Sequence, residues 1–345
     1  MKFSDLKLLE PSLVALKGDP DQFKIESISH SDAPQKNTFI FVKSQKFLAN
    51  IGRRAQDQDY SQTGIVFEAK FIEALDENSK KDVFNQFGWV AKCDAVNKAI
   101  SLLSKPFYDK KYKALNFQVD GREMGNTSID PTTRISQNVF IGEHVRIGAH
   151  CTIMPGVTIL PHVEIADHTI IYPGVVIYPY CKIGQHCRIH ANAVIGLDGF
   201  GYNFFDGQHH KVWHLNHVVI EDHVEIGSCT TIDCGAFIDT YIKTGTKIDN
   251  GVQLAHNVEV GKHVIMCAAS ALAGSAEVGD YCVFAGSAGV APNARLGNGV
   301  QVGALSMISE NAIIEPNTVW AGTPARPLKE WLKGKAVLRK LIKSR

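Results

Sequence analysis

The stretch ISQNVFIGEHVRIGAHCTIMPGVTI (Ile135–Ile159) carries isoleucine at every sixth position. The spacing runs unbroken to Ile195 and resumes at Ile220, Ile226, Ile232 and Ile238. After a phase slip it continues from Ile242 through Ile248, Leu254, Val260 and Met266 to Ile314. Four residues beyond each aliphatic sits a small or β-branched residue, as at Val139, Val145, Cys151, Val157 and Thr169. A period of six fits neither an α-helix nor a plain strand, which repeat at about 3.6 and 2 residues. It is the period of a β-solenoid whose flat faces are each one hexapeptide long. The aliphatic fills the interior, the small residue packs where faces meet, and Gly, Asn or Asp serves the corner. The 28 faces, taken three to a coil, give a little over nine coils of a mainly-β solenoid.

Two places break the period. Residues 197–216, with DGFGYNFFDGQHHKVWHLN (198–216), must loop out, and Ile238–Tyr241 forms a short face at the phase slip. Upstream, residues 1–106 read as a small α/β domain. Its β-rich runs are Thr38–Lys43, Gly64–Glu68 and Gly88–Lys92, and its clearest helical stretch is Asp94–Leu103. Residues 107–133 are a linker, residues 134–319 the solenoid, and residues 320–345 a tail. Leu328, Trp331, Leu332, Leu338, Leu341 and Ile342 mark an amphipathic helix in that tail, expected to bend or break near Gly334.

The chain has 345 residues with 36 Lys+Arg against 35 Asp+Glu, a formal charge of +1, and 45% hydrophobic residues. This balance excludes a protein that coats nucleic acid, and the apolar content excludes disorder as the dominant state. No run approaches the ~20 apolar residues of a membrane span. Lys2, Asp5, Lys7 and Glu10 interrupt the N-terminus, so a secretory signal is not expected. The eight Cys include no CxxC pair, and Cys151, Cys181, Cys187 and Cys282 take the small inward slot. They read as packed thiols of a cytoplasmic protein.

Hexapeptide solenoids ending in a basic helix resemble the acyltransferases of that repeat class. The resemblance narrows at IGLDGFGY (Ile195–Tyr202), VEIGSCTTID (Val224–Asp233) and KIDNGVQLAHNVEVG (Lys247–Gly261). With an N-terminal domain of about a hundred residues, these segments are similar to the UDP-3-O-acylglucosamine N-acyltransferases of lipid A biosynthesis in Gram-negative bacteria. The resemblance implies a left-handed parallel β-helix and a cytoplasmic homotrimer with active sites in grooves between neighbouring solenoids. It also implies transfer of a (3-hydroxy)acyl chain from an acyl carrier protein thioester to the 2-amine of UDP-3-O-acylglucosamine. No cofactor is bound; phosphopantetheine arrives on the carrier. Membrane contact is at most peripheral.

Carried over by motif, His256 in LAHN is the general base and Asp249 the carboxylate that orients it. Gly274, one 18-residue coil beyond His256, is the oxyanion donor. The chemistry is apt, since an amine attacking a thioester must lose a proton and an imidazole titrating near neutrality can take it. Phe41, Ser44 and Phe47 in FIFVKSQKF match an aromatic–polar–aromatic uracil clamp, and Asn250 joins the substrate contacts. Met307 falls in an outward slot near the expected acyl groove, where it limits depth. Three departures stand out. Ser44 replaces the clamp's Asn, Cys234 replaces an Arg, and Asn293 replaces a second His, which leaves His256 as the only titrating base. The other repeat-region histidines (His144, His150, His162, His168 and His186) read as solvated corner residues.

Two other readings fit parts of the sequence. A nucleotide-sugar N-acetyltransferase using acetyl-CoA would share the groove His and the GTPAR segment (Gly322–Arg326), but not the N-terminal domain or the DGFGY insertion. A metal-dependent hydratase or a purely structural solenoid is the other reading; zinc would need three converging His or Cys ligands, which trimeric solenoids can supply across an interface, and no spacing selects three. The charge is also unevenly spread. Residues 326–345 hold eight basic residues and one acidic, so the remaining 325 sum to −6. Arg339, Lys340 and Lys343 are expected to meet the acidic carrier protein.

Overall fold

The computed structural model describes residues 1–55, 59–322 and 328–343. From Ser128 to Trp320, short strands stack into three parallel sheets of ten, nine and ten strands, a β-solenoid of nearly ten coils. Partners lie one coil apart, Ile153 pairing with Ile135 below and Ile171 above. The sixth-position aliphatics and the small residues form one continuous interior, including Ile141, Ile153, Cys181, Leu254 and Phe284, each 0% exposed. The inward cysteines Cys151, Cys181, Cys187 and Cys282 are all buried in it.

The solenoid departs from the hexapeptide count at three places. Ile129 and Trp320 each add a face, one at either end, pairing in the terminal coils. Ile238 drops out. Ile220 pairs with Ile242, 22 residues on, so four extra residues are extruded near 234–239. The extrusion has a packing reason, because it carries Ala236 and Phe237 into the core of the N-terminal domain. The larger interruption separates Ile183 from its partner Ile220 by 37 residues, 19 more than a coil. It folds as an antiparallel hairpin, Tyr202–Phe205 on Gln208–Lys211.

The corner histidines are more organised than solvated residues. His150, His168, His186 and His223 stack coil on coil at centroid separations of 5.0, 4.7 and 5.0 Å, and His144, His162 and Tyr180 form a second ladder. Each sits at φ of 55–65°, the left-handed region in which Asn and His are enriched.

The N-terminal domain has a five-stranded sheet, in the order 14–17, 89–93, 64–68, 38–42, 27–28, with only the first strand antiparallel. Its main helix, Val96–Tyr112, runs through Pro106 and past Leu103. Phe107 anchors that extension in the core, and Tyr108 packs against Trp213 of the insertion, the rings tilted by 50° with centroids 4.8 Å apart. The domain is fixed to the solenoid by backbone and charge together. His30 N–H donates to Phe237 O at 3.0 Å. Arg53 Nη1 donates to Glu277 Oε2 at 2.8 Å, and Arg54 reaches Glu259 and Glu277 at 3.3 and 3.0 Å.

The tail helix, Leu328–Lys343, is continuous through Gly334, contrary to the expected bend. Glycine inside a helix costs only about 1 kcal/mol, and the Leu, Lys, Ala and Arg residues around it favour the helix. Arg326 and Arg345, and most of the GTPAR segment, lie outside the described residues. Among the described residues no helix is long and apolar enough to cross a membrane.

Candidate active site

Three structural units meet around one cavity of about 370 Å³. The N-terminal domain contributes Ser31 from the turn beyond the strand 27–28 and Phe41 from the strand 38–42, and the short helix Gln45–Ala49 contributes Phe47. The insertion contributes Phe200, Gly201, Tyr202 and His214, and the solenoid contributes His256 and Asn257. Phe41 and Phe47 thus line the same cavity. Phe41 is anchored edge-on to Phe39 at 5.2 Å, and the Lys43 ammonium lies 5.6 Å from the Phe47 ring centre. Ser44 sits at the N-terminus of the Gln45–Ala49 helix and is not among the residues lining the cavity.

His256 follows the strand Gln253–Leu254 at a corner of the nine-stranded sheet. Burial holds its pKa below the usual histidine value, and the charge of nearby His30 pushes the same way. Gly274 lies directly against the ring. A methyl at its Cα would stand 2.8 Å from both Cε1 and Nε2 of His256, so only glycine admits the imidazole there.

The expected carboxylate is elsewhere. Asp249 follows the strand Lys247–Ile248 of a different sheet, and its oxygens accept from Asn250 N (2.7 Å) and Ala268 N (3.1 Å). Asn250 shares that corner, where its Oδ1 accepts from Ser228 N at 2.7 Å. Within one chain these two brace successive coils, because the corner after one sheet lies a full face away from the corner after the next. Asn293 lines a neighbouring cavity of about 250 Å³ with Ser275, Asn311 and Arg295. Cys234 is buried, with its thiol 4.0 Å from Asp198 Oδ1 and its pKa pushed up by that burial. Met307 is 70% exposed, and its thioether lies across Gly289 on the outer face that also carries Gln253. Arg339, Lys340 and Lys343 are exposed on the tail helix.

Sequence reasoning missed His30, Ser31 and His214. His214 was hidden inside the segment that breaks the repeat, so coil arithmetic could not place it beside His256. The structure stands the two rings edge to face, 5.2 Å apart. Ser31 Oγ, His214 Nε2 and His256 Nδ1 are all buried without a hydrogen-bond partner among the described residues, and all three residues line the same cavity. Buried polar atoms are rarely left unmatched, so their convergence marks a place built for a polar ligand. Among the described residues no three His, Cys, Asp or Glu are grouped to hold a metal ion.

Comparison with known proteins places these features in context. A family model described as the GMPPB C-terminal domain matches residues 124–199, the coils before the insertion. The chain is 44% identical over 155 residues to a UDP-3-O-acylglucosamine N-acyltransferase of Helicobacter hepaticus, covering 45% of this chain and 47% of that one. It is 51% identical over 157 residues to the Azorhizobium caulinodans protein of the same name, covering 46% and 43%. The chain thus spans less than half the length of the curated relatives it matches. Among solved structures, a UDP-N-acetylglucosamine acyltransferase from Campylobacter jejuni aligns at TM-score 0.45 and 22% identity, covering 56% of this chain and 70% of that chain.

Proposed function

We propose that this protein is an N-acyltransferase that moves an acyl chain from a carrier-bound thioester to the 2-amine of UDP-3-O-acylglucosamine. The single observation that carries the reading is the cavity, which spans two aromatic rings at one end and a half-buried, unpartnered imidazole at the other. Uracil fits between Phe41 and Phe47, stacked on apolar faces. Lys43 beside them suits the diphosphate, and the sugar then extends toward His256. The relatives named for this activity support the same assignment.

In this reading the amine nitrogen attacks the thioester carbonyl while His256 Nε2 takes one of its protons. The Gly274 N–H stabilises the oxyanion. The C–S bond then breaks, and the phosphopantetheine thiolate leaves with the proton from His256. Asn293 donates a hydrogen bond near the thioester, and Met307 closes the acyl groove. No cofactor is held by the protein itself.

The chain acts as a homotrimer. Asp249 of one copy faces His256 Nδ1 of the next and supplies the partner that a single chain lacks, with Asn250 beside it on the substrate. The basic helix bearing Arg339, Lys340 and Lys343 steers the acidic carrier protein. The work is cytoplasmic, and the product is a UDP-2,3-diacylglucosamine of lipid A biosynthesis.

The test is mass spectrometry of the product formed from UDP-3-O-acylglucosamine with a panel of acyl carrier protein donors and with acetyl-CoA. The diacyl product is expected from long-chain carrier donors, and His256→Ala is expected to abolish it. Turnover with acetyl-CoA alone would replace this reading with an N-acetyltransferase.

A further inference from the structure

His214 has no part in the reaction as written above, yet its environment is unusual. It is 0% exposed, and it reaches the cavity from the far side of the insertion hairpin. Its Nδ1 lies 3.0 Å from Val212 O. A carbonyl oxygen only accepts, so Nδ1 carries the ring proton and Nε2 presents a lone pair. Burial pushes the pKa down to about 4, and the charge of His256 works in the same direction, so the ring stays neutral. That lone pair has no partner among the described residues.

The loop above the ring packs directly on it. A methyl at Gly199 would stand 2.7 Å from His214 Nε2 and 2.8 Å from His256 Cβ, and one at Gly201 would stand 3.1 Å from His214 Cε1. The two glycines of DGFGY therefore let the loop lie against His214 and His256, where any side chain would fill the space beside Nε2. An acceptor buried beside the base without a donor among the described residues calls for one from the ligand, because a buried polar group left unpaired is unfavourable.

We infer that His214 Nε2 accepts a hydrogen bond from the acceptor sugar's 2-amine and holds that nitrogen against His256. The inference rests on the acyltransferase reading. Of the two N–H bonds on the attacking amine, one points to His256 and the other to His214. As the C–N bond forms, the first proton passes to His256 and then to the departing thiolate. The second stays on the amide nitrogen, so His214 gains and loses no proton. A neutral ring is required throughout, since an imidazolium would donate where it must accept.

Two variants of the full-length protein separate this role from a merely structural one. His214→Asn keeps a polar group where Nδ1 bonds Val212 but does not reach the cavity. His214→Gln extends an amide oxygen to about the position of Nε2. With UDP-3-O-acylglucosamine and acyl carrier protein donor, His214→Asn should lose about 10- to 100-fold in kcat/KM. Its Kd for UDP, by calorimetry, should stay within about twofold of the parent's, since the acceptor lost serves the sugar amine and not the nucleotide. His214→Gln should recover to within about fivefold of the parent, as the acceptor is restored. Equal losses in the two variants, or activity in His214→Asn above about half the parent's, would overturn the inference. Inactivity of the unaltered protein with this substrate would instead overturn the acyltransferase reading beneath it.

Discussion

Gly274 stands one coil beyond His256, with no side chain to hold the imidazole off: a methyl on its Cα would be 2.8 Å from Cε1 and 2.8 Å from Nε2. The contact is with the imidazole alone, so a methyl there must push the ring aside. Gly274→Ala should displace the ring and lower kcat by about 100-fold, the scale expected when a catalytic group moves by about 1 Å. The melting temperature and the Kd for UDP should hardly change, which calorimetry of the variant checks. An unchanged kcat would separate His256 from the chemistry.

The pH profile follows from the burial of His256. Its pKa lies below the usual histidine value of 6.5, and the neutral form is the base. Activity should therefore persist as pH falls through 6.5 and decline only below it. The measurement is kcat/KM against pH with saturating donor. An acid limb centred above 6.5 would show that a carboxylate beside the ring, such as Asp249 of the neighbouring copy, outweighs the burial.

Asp249 and His256 sit at corners of different sheets, so a pairing between them must cross from one copy to the next. Asp249→Ala and His256→Ala should each be inactive as pure proteins. Mixed trimers formed by refolding the two together should regain activity, since some interfaces then pair an intact Asp249 with an intact His256. Failure to complement, with mixed assembly verified by mass, would return Asp249 to a purely structural role.

Asp233 offers a stability prediction. It is 6% exposed and accepts from Gln253 Nε2 at 3.0 Å, and burial raises its carboxyl to about 6. A carboxyl whose folded value exceeds its unfolded value of 3.8 destabilises only when ionised. The penalty is absent below the unfolded value, grows between the two, and is complete above the folded one, where it is worth roughly 3 kcal/mol. Asp233→Asn keeps an acceptor for Gln253 without the charge. Its melting temperature should match the parent's at acid pH and exceed it increasingly toward pH ~7.5, as the parent's carboxyl ionises. A constant offset across that range would show that the charge carries no cost.

The solenoid was legible in the sequence because its period is local. Each aliphatic is set by the face it fills, and one coil repeats the demand of the last, so Ile135 already implies Ile153 and Ile171. Phe41, Phe47, His256 and Gly274 were singled out by the resemblance of short motifs, and the structure sets the first three around one cavity with Gly274 against the His256 ring. The interruptions obeyed no such rule. Ile238 kept the right residue type at the right spacing, yet it lies outside the solenoid interior, beside Ala236 and Phe237 that pack in the core of the neighbouring domain. The 18-residue spacing of the corner histidines was visible, but their stacking depends on a left-handed backbone repeated coil after coil.

His214 marks the boundary most clearly. Its residue type and its position in a loop were plain from the chain, but its neighbour is 42 residues away, and only the fold of the hairpin brings them together. Asp249 shows the reverse case, seven residues from His256 in the chain and on another sheet in space. Sequence alone determined what repeats and therefore what is buried. Tertiary structure decided which side chains outside the repeat converge, because that convergence depends on packing between distant segments and not on the period of any one of them.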